Sequence, residues 1–322
     1  MDINLIWREL SFFTSSLHSQ KYLSHCYKQL KIAEHDKKSF DNCYPFIYYL
    51  EHGKSYYESA KISPLSIRPV LLFYGMIQLL KACLLTVDPN YPESTAVLAH
   101  GVTTRKRKKQ SYEFLQDEVK IQRNGLYTHI AEKMFYMRHL EGEKCSMENL
   151  LKLVGELGRL FTYSKKAPEL YPIVRIDDHI VSISKLVLDR YNMTEQRFIE
   201  YLQTSCSSLH IEPSTQKDKY NIILHSPKRN WAGLQKSPLV YHMYEDTYYL
   251  PSNREQMGAF SEILVHYLVL YNLSMISRYE TEWWSELLHS YATEDYPFIN
   301  QFLAVSADKI PYYIYHYLMS KT

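Results

Sequence analysis

The sequence predicts a mainly α-helical protein, a helical bundle with two buried central helices and a small α+β insert. Three observations carry this expectation. Both ends of the chain show apolar residues at three- and four-residue steps, the period of a one-sided helix. Two stretches, residues 68–85 and 255–277, are apolar on nearly every face, which suits a helix in the middle of a bundle. Residues 168–251 change texture to β-branched and aromatic residues in partial alternation. The expected organisation is a helical region over 1–165, an α+β insert over 166–251, and a helical region over 252–322 that packs back on the first.

In chain order, Leu5, Leu10, Phe13 and Leu17 mark one apolar helical stripe, and helices follow over 21–32 and 40–60, the latter with Pro45 near its start. Ser63-Pro64 supplies an N-cap and first-turn proline ahead of the apolar stretch from Arg68. Asp88-Pro89-Asn90-Tyr91-Pro92 stops that helix. Residues 118–122 read as a short strand, and 126–140 and 147–161 as helices. Within the insert, residues 173–176, 180–183, 220–224 and 239–249 read as strands. Asp177-Asp178 and Glu245-Asp246 serve as turns, and a helix covers 194–202. Ser252-Asn253-Arg254-Glu255 matches a capping box opening the second apolar helix. Residues 283–288, 298–305 and 311–318 read as short terminal helices.

Composition excludes several classes. The chain carries 37 Lys+Arg against 35 Asp+Glu, so a bulk polyelectrolyte binder is excluded and nucleic acid would need a local patch. Nine glycines in 322 residues make glycine-built phosphate loops scarce. Thirty tyrosines supply apolar area with a polar tip, so buried phenols must find acceptors. Five cysteines, an odd number with no C-x-x-C spacing, point to a reducing compartment and away from structural zinc. Met1-Asp2-Ile3-Asn4 lacks the basic start of a signal peptide. Gln78 and Lys81 in one apolar stretch, and Glu262, His266 and Asn272 in the other, favour buried core helices over membrane spans. No cofactor, metal or membrane association is expected.

Several segments carry candidate chemistry. Arg105-Lys106-Arg107-Lys108-Lys109 can neutralise phosphates of a nucleic acid or nucleotide, with His100 and Gly101 supplying a donor and an open backbone approach. A solvated, solubilising loop is the competing reading. Arg278, at the end of an apolar helix and before Tyr279, Trp283 and Trp284, reads as a macrodipole partner or as an anion clamp against an aromatic wall. Arg123 and His129 have the R-x(4–6)-H spacing of a ribonuclease pair, but Gly125 between them weakens a helix there. His210-Ile211-Glu212 lacks the P-C-x-x-C that a zinc deaminase needs. Ser182-Ile183-Ser184-Lys185 lacks its companion motifs. Asp177-Asp178-His179 reads as a solvated turn tip. The sequence has no H-E-x-x-H, P-loop, G-x-G-x-x-G or G-x-S-x-G.

The runs Tyr44-Pro45-Phe46-Ile47-Tyr48-Tyr49-Leu50-Glu51-His52-Gly53-Lys54 and Pro69-Val70-Leu71-Leu72-Phe73-Tyr74-Gly75-Met76, followed by Leu79-Leu80-Lys81-Ala82-Cys83, resemble the YaaC family of Bacillus-type bacteria. Two more runs, His100-Gly101-Val102-Thr103-Thr104 with residues 105–109, and Leu273-Ser274-Met275-Ile276-Ser277-Arg278-Tyr279, extend the resemblance over nearly the whole chain. The resemblance implies a bacterial cytoplasmic protein. Genes of the family often lie beside that for IMP dehydrogenase, which points to purine metabolism. The expected function is therefore a non-enzymatic regulatory or interaction protein whose partner is IMP dehydrogenase or a purine nucleotide. The helical texture also resembles HEPN-type proteins, which implies the alternative, a nucleic-acid-binding protein or ribonuclease using residues 105–109 with Arg123 and His129.

Replacing Lys106, Arg107 and Lys108 with Ala is expected to leave thermal stability unchanged, within about ±0.5 kcal/mol per site. If the run binds phosphate, polyanion affinity falls and its salt dependence becomes shallower. Identical polyanion binding at every salt concentration would assign the run to solubility alone.

Overall fold

The computed structural model describes residues 2–104, 112–205, 211–216, 218–225, 239–254, 260–290 and 293–322. The chain divides into two compact units, residues 1–147 with 266–322, and residues 148–265. Residues 105–109 and His210 lie outside the described residues.

The first unit is helical. It begins with α1 (Ile3–Leu10), α2 (Ser16–Gln29), α3 (His35–Ile62) and α4 (Arg68–Leu85). Ile6, Leu10 and Phe13 are buried, whereas Leu5 and Leu17 are 39% and 62% exposed. The expected stripe was thus rotated, because Ser11–Thr14 is a tight 3-10 turn that breaks the α-helical phase. Pro45 sits deep within α3, whose helix begins earlier than the apolar pattern does.

The five residues between α3 and α4 make them an antiparallel hairpin. Two glycines set their spacing. A Cβ on Gly53 would come within 2.5 Å of Leu79, and one on Gly75 within 2.8 Å of the Tyr57 ring. Some buried phenols find backbone acceptors, whereas the Tyr57, Tyr91 and Tyr127 hydroxyls are buried without a hydrogen-bond partner among the described residues. Tyr27 donates to the Leu85 carbonyl at the end of α4 (2.9 Å). Tyr22 donates to Leu318 near the chain end (2.9 Å).

After α4 come β1 (Val102–Thr104), β2 (Glu118–Ile121), α5 (Leu126–Phe135) and β3 (Lys144–Ser146). The strands form an antiparallel sheet in the order β1-β2-β3. The expected helix over 126–140 ends at Phe135, where Tyr136 turns left-handed at φ 55°.

α6 (Met147–Leu151) straddles the unit boundary. α7 (Gly158–Lys165), β4 (Leu170–Arg175), β5 (Ile180–Ser184), α8 (Leu186–Tyr191) and α9 (Glu195–Ser205) follow, then β6 (Glu212–Pro213), β7 (Asn221–His225), β8 (Val240–His242) and β9 (Thr247–Pro251). The expected helix over 147–161 is interrupted by a 3-10 turn at Gly155, where a Cβ would strike the Tyr241 carbonyl oxygen at 2.8 Å.

Six strands make one antiparallel sheet in the order β6-β7-β5-β4-β9-β8, more than a small insert. Val181, Ile183, Ile222 and Leu224 point to its buried face in strict alternation. At the β4–β5 turn, Asp177 accepts the His179 and Ile180 N–H groups at 2.7 and 2.8 Å, forming an exposed tip.

Helix α10 (Glu262–Tyr279) starts seven residues later than the capping-box match implies. Ser252 donates its hydroxyl to Glu169 (2.9 Å). Within the first unit, every α10 residue from His266 to Leu270 is fully buried. Two of the buried polar side chains of α10 have partners, although the Asn272 Oδ1 has none among the described residues. His266 pairs with Ser306 (2.8 Å), and Asn272 donates to the buried Asp117 carboxylate (3.0 Å). α11 (Thr281–Ser290) and α12 (Asp295–Met319) complete the unit. α12 runs through Pro311 where two short helices were expected. Burial of Ile310, Tyr312, Tyr313, Ile314 and Leu318 outweighs the proline's cost of about 3 kcal/mol.

Among the described residues, α4 alone is long and apolar enough to cross a membrane, and 67% of it is buried within the protein.

Gly75→Ala tests the α3–α4 spacing. In an open helix the change would add stability, up to about 1 kcal/mol. Here the new methyl meets the buried Tyr57 ring, so overpacking is expected to dominate and cost about 1–3 kcal/mol. Calorimetric unfolding should show a lower Tm. An unchanged or raised Tm would mean that the helices can part without loss.

Candidate functional site

The cluster is assembled from three parts of the helical unit. Phe73 of α4 is fully buried and touches four rings. Their centroids lie at 5.1 Å for His100, 5.4 Å for Tyr267, 5.6 Å for Tyr271 and 5.7 Å for Tyr74. It therefore ties α4, α10 and the segment before β1 together.

His100 is further held through its backbone. Its carbonyl accepts the Tyr127 N–H (3.2 Å) and the Tyr267 hydroxyl (2.9 Å), and the neighbouring Ala99 carbonyl accepts the Leu126 N–H (2.7 Å). Those bonds also satisfy the first two N–H groups of α5. The approach is close because Gly101 and Gly125 cross backbone to backbone. A Cβ on Gly125 would lie 2.3 Å from the Gly101 Cα, and Gly125 has φ +138°. Gly101 was expected to offer an open backbone; Gly125 fills that space. Gly125 itself precedes α5 rather than weakening its interior.

Around this frame, Tyr74, Gln78 and Lys81 share one face of α4 at i, i+4 and i+7. Lys81 lies over the Tyr49 ring of α3 at 5.6 Å. Arg278, in the last turn of α10, lies over Tyr74 at 6.0 Å and over Tyr279 at 5.2 Å. Its Nε donates to the Ser274 carbonyl (2.9 Å). The His100 ring sits 5.7 Å from Tyr271 and 6.1 Å from Tyr74. The aromatic wall is thus tyrosine rather than tryptophan. Trp283 packs edge-on against Tyr112, and Trp284 donates to the Ser66 carbonyl (3.0 Å).

The electrostatics of the cluster are one-sided. Burial pushes the His100 pKa below its ordinary value, and the nearby charges of Arg278 and Lys81 push it further. Burial also lowers Lys81. None of these three groups forms an ion pair with a carboxylate among the described residues. Three half-buried basic side chains beside tyrosine rings, with no acid between them, suit an anion that also carries a flat ring.

The other predicted pair does not converge in this way. His129 on α5 spends its Nε2 on Asp88 Oδ2 at 2.8 Å, with side-chain exposures of 10% and 4%. Tyr91 packs on the His129 ring at 5.8 Å, and Lys133 lies 3.9 Å from Asp88. Burial raises the Asp88 carboxyl, but the His129 hydrogen bond, the Lys133 charge and the Asn90 N–H outweigh it and hold it below the usual range. Arg123 is exposed on the turn before Gly125 and shares no bond with His129. Among the described residues no group of three or more His, Cys, Asp or Glu is placed to hold a metal ion.

Sequence reasoning singled out His100 and Arg278 and missed Lys81, Tyr49 and Tyr74 as their companions. The available signal was a polar pair, Gln78 and Lys81, breaking an otherwise apolar helix on one face. A family model for YaaC-like proteins matches residues 11–318. The chain belongs to the YaaC-like family. No curated protein and no solved structure matches it. The residues of this cluster fall within the matched span, as do Asp88 and His129.

His129→Ala is expected to strand the Asp88 carboxylate and destabilise the protein by about 2–4 kcal/mol. The Asp88 pKa should rise. A carboxyl held low when folded contributes stability above its unfolded pKa and loses it as pH falls through the folded value. The variant should therefore unfold at a higher pH than the parent on acidification. Coincident acid transitions would show that the pair contributes nothing.

Proposed function

We propose that this YaaC-like protein is a cytoplasmic regulatory protein that binds a purine nucleotide and carries out no catalysis, with IMP dehydrogenase as the enzyme it serves. What supports this reading is the convergence of Lys81, His100 and Arg278 without a counter-carboxylate among the described residues, beside Tyr49, Tyr74 and Tyr271. Phosphate takes the charges, and a purine ring takes a tyrosine face. The link to IMP dehydrogenase rests on the gene neighbourhood that the family resemblance implies.

The cluster holds no evident nucleophile, since its phenols at Tyr49 and Tyr271 are raised by burial and stay protonated. The ribonuclease alternative draws no support from the geometry of Arg123 and His129. His129 is committed to Asp88 by its Nε2.

Calorimetric titration with IMP, GMP and ATP tests the reading. Binding of at least one is expected. Lys81→Ala and Arg278→Ala should each weaken it roughly tenfold to a hundredfold, the worth of about 1.5–3 kcal/mol for a charge-assisted hydrogen bond. Bound anion offsets the two cations beside His100 and raises its pKa, so binding takes up a proton and strengthens as pH falls through the ligand-bound His100 pKa. Sulfate, whose charge is constant in that range, is the control ligand. Failure of all three nucleotides to bind would overturn the proposal. RNA cleavage lost in His129→Ala would install the ribonuclease alternative.

A further inference from the structure

Helix α3 carries an exposed aromatic stripe on the side turned away from α4. Phe40, Tyr44 and Tyr48, at i, i+4 and i+8, are 62%, 51% and 55% exposed. The Tyr44 and Tyr48 rings lie 6.1 Å apart. Large aromatics lined up on one solvated helix face differ from the singly scattered apolar residues of an ordinary surface. Lys37, Asp41 and Glu51 are exposed on the same face, and none has a partner among the described residues. Beside the stripe runs the groove between α2 and α3, with Leu17 62% exposed, so the face is wider than one helix.

The order of charges along the stripe is self-complementary. Lys37 lies seven residues before Tyr44 and Glu51 seven after it. In an antiparallel crossing of two α3 helices at Tyr44, each residue is level with the one equally far on the other side. Lys37 then meets Glu51 of the second copy at both ends, Tyr44 meets its own counterpart, and Phe40 comes level with Tyr48. An isologous two-fold contact requires this pattern. Within one chain Lys37 and Glu51 are separated by about 21 Å of helix and cannot pair.

We propose that the protein forms a two-fold homodimer through α3, centred on Tyr44, with Lys37–Glu51 ion pairs flanking an aromatic seam. The proposal is independent of the nucleotide reading. It is tested by sedimentation equilibrium of the full chain and of charge-exchanged variants, each checked for unchanged circular dichroism. The parent protein is expected to dimerise. Lys37→Glu and Glu51→Lys should each weaken the dimer by at least about tenfold, because each leaves like charges facing across the axis. The double variant Lys37→Glu/Glu51→Lys restores opposite charges and should return the affinity to within about threefold of the parent. Tyr44→Cys, on the axis, should form a disulfide-linked dimer on mild oxidation. A parent chain that stays monomeric at the highest soluble concentration would overturn the proposal. So would a dimer indifferent to the single exchanges, or a double variant as weak as either single one.

Discussion

Phe73 brings the three parts of the candidate site to one point. Its ring is closed off from water and is met by the rings of His100, Tyr74, Tyr267 and Tyr271 at 5.1–5.7 Å. Those rings come from α4, from α10 and from the segment leading into β1. The two helices lie almost two hundred residues apart in sequence, so their contact closes a long loop that only substantial burial can offset. Edge-to-face ring packing adds direction to that burial, because it fixes the tilt of each ring as well as its distance. The orientation of His100 follows from the core rather than from its own loop.

The same packing explains why the cluster can carry unpaired positive charge. Lys81 and Arg278 project from helices whose other faces are buried deeply, so the backbone positions are not free to relax apart. Their heads rest on tyrosine faces, which attract cations without cancelling their charge. A carboxylate in that place would form a closed ion pair, as Asp88 does with His129 and Lys133. The helical unit thus contains both arrangements, a carboxylate paired with His129 and Lys133 and a set of basic side chains with no carboxylate partner among the described residues.

Tyrosine is the residue through which this chain reconciles burial with hydrogen bonding. Tyr22, Tyr27, Tyr191 and Tyr267 each sink a ring into a core and pass the hydroxyl to a main-chain carbonyl, three of them at or near an element's end. Each such bond gives a buried phenol its acceptor from the main chain, and at His100 and Leu318 the same carbonyl also accepts a backbone N–H.

The helical class, the boundaries of α4, the strands β2 and β5 and the burial of α10 were legible in the sequence, because each depends on local periodicity that a strip of residues carries by itself. Membership of the YaaC-like family was legible in runs such as residues 44–54 for a similar reason, since identity needs no geometry. Other features were not legible. Gly125 reads in sequence as a poor helix residue, and only the crossing of its backbone with Gly101 gives it a purpose. Pro311 reads as a break, and only the burial around it keeps α12 continuous. Lys81 reads as a lone polar residue in an apolar helix. The tertiary structure alone sets it near His100 and Arg278, because what makes two cations and an imidazole one cluster is distance through space, and sequence separation does not encode it.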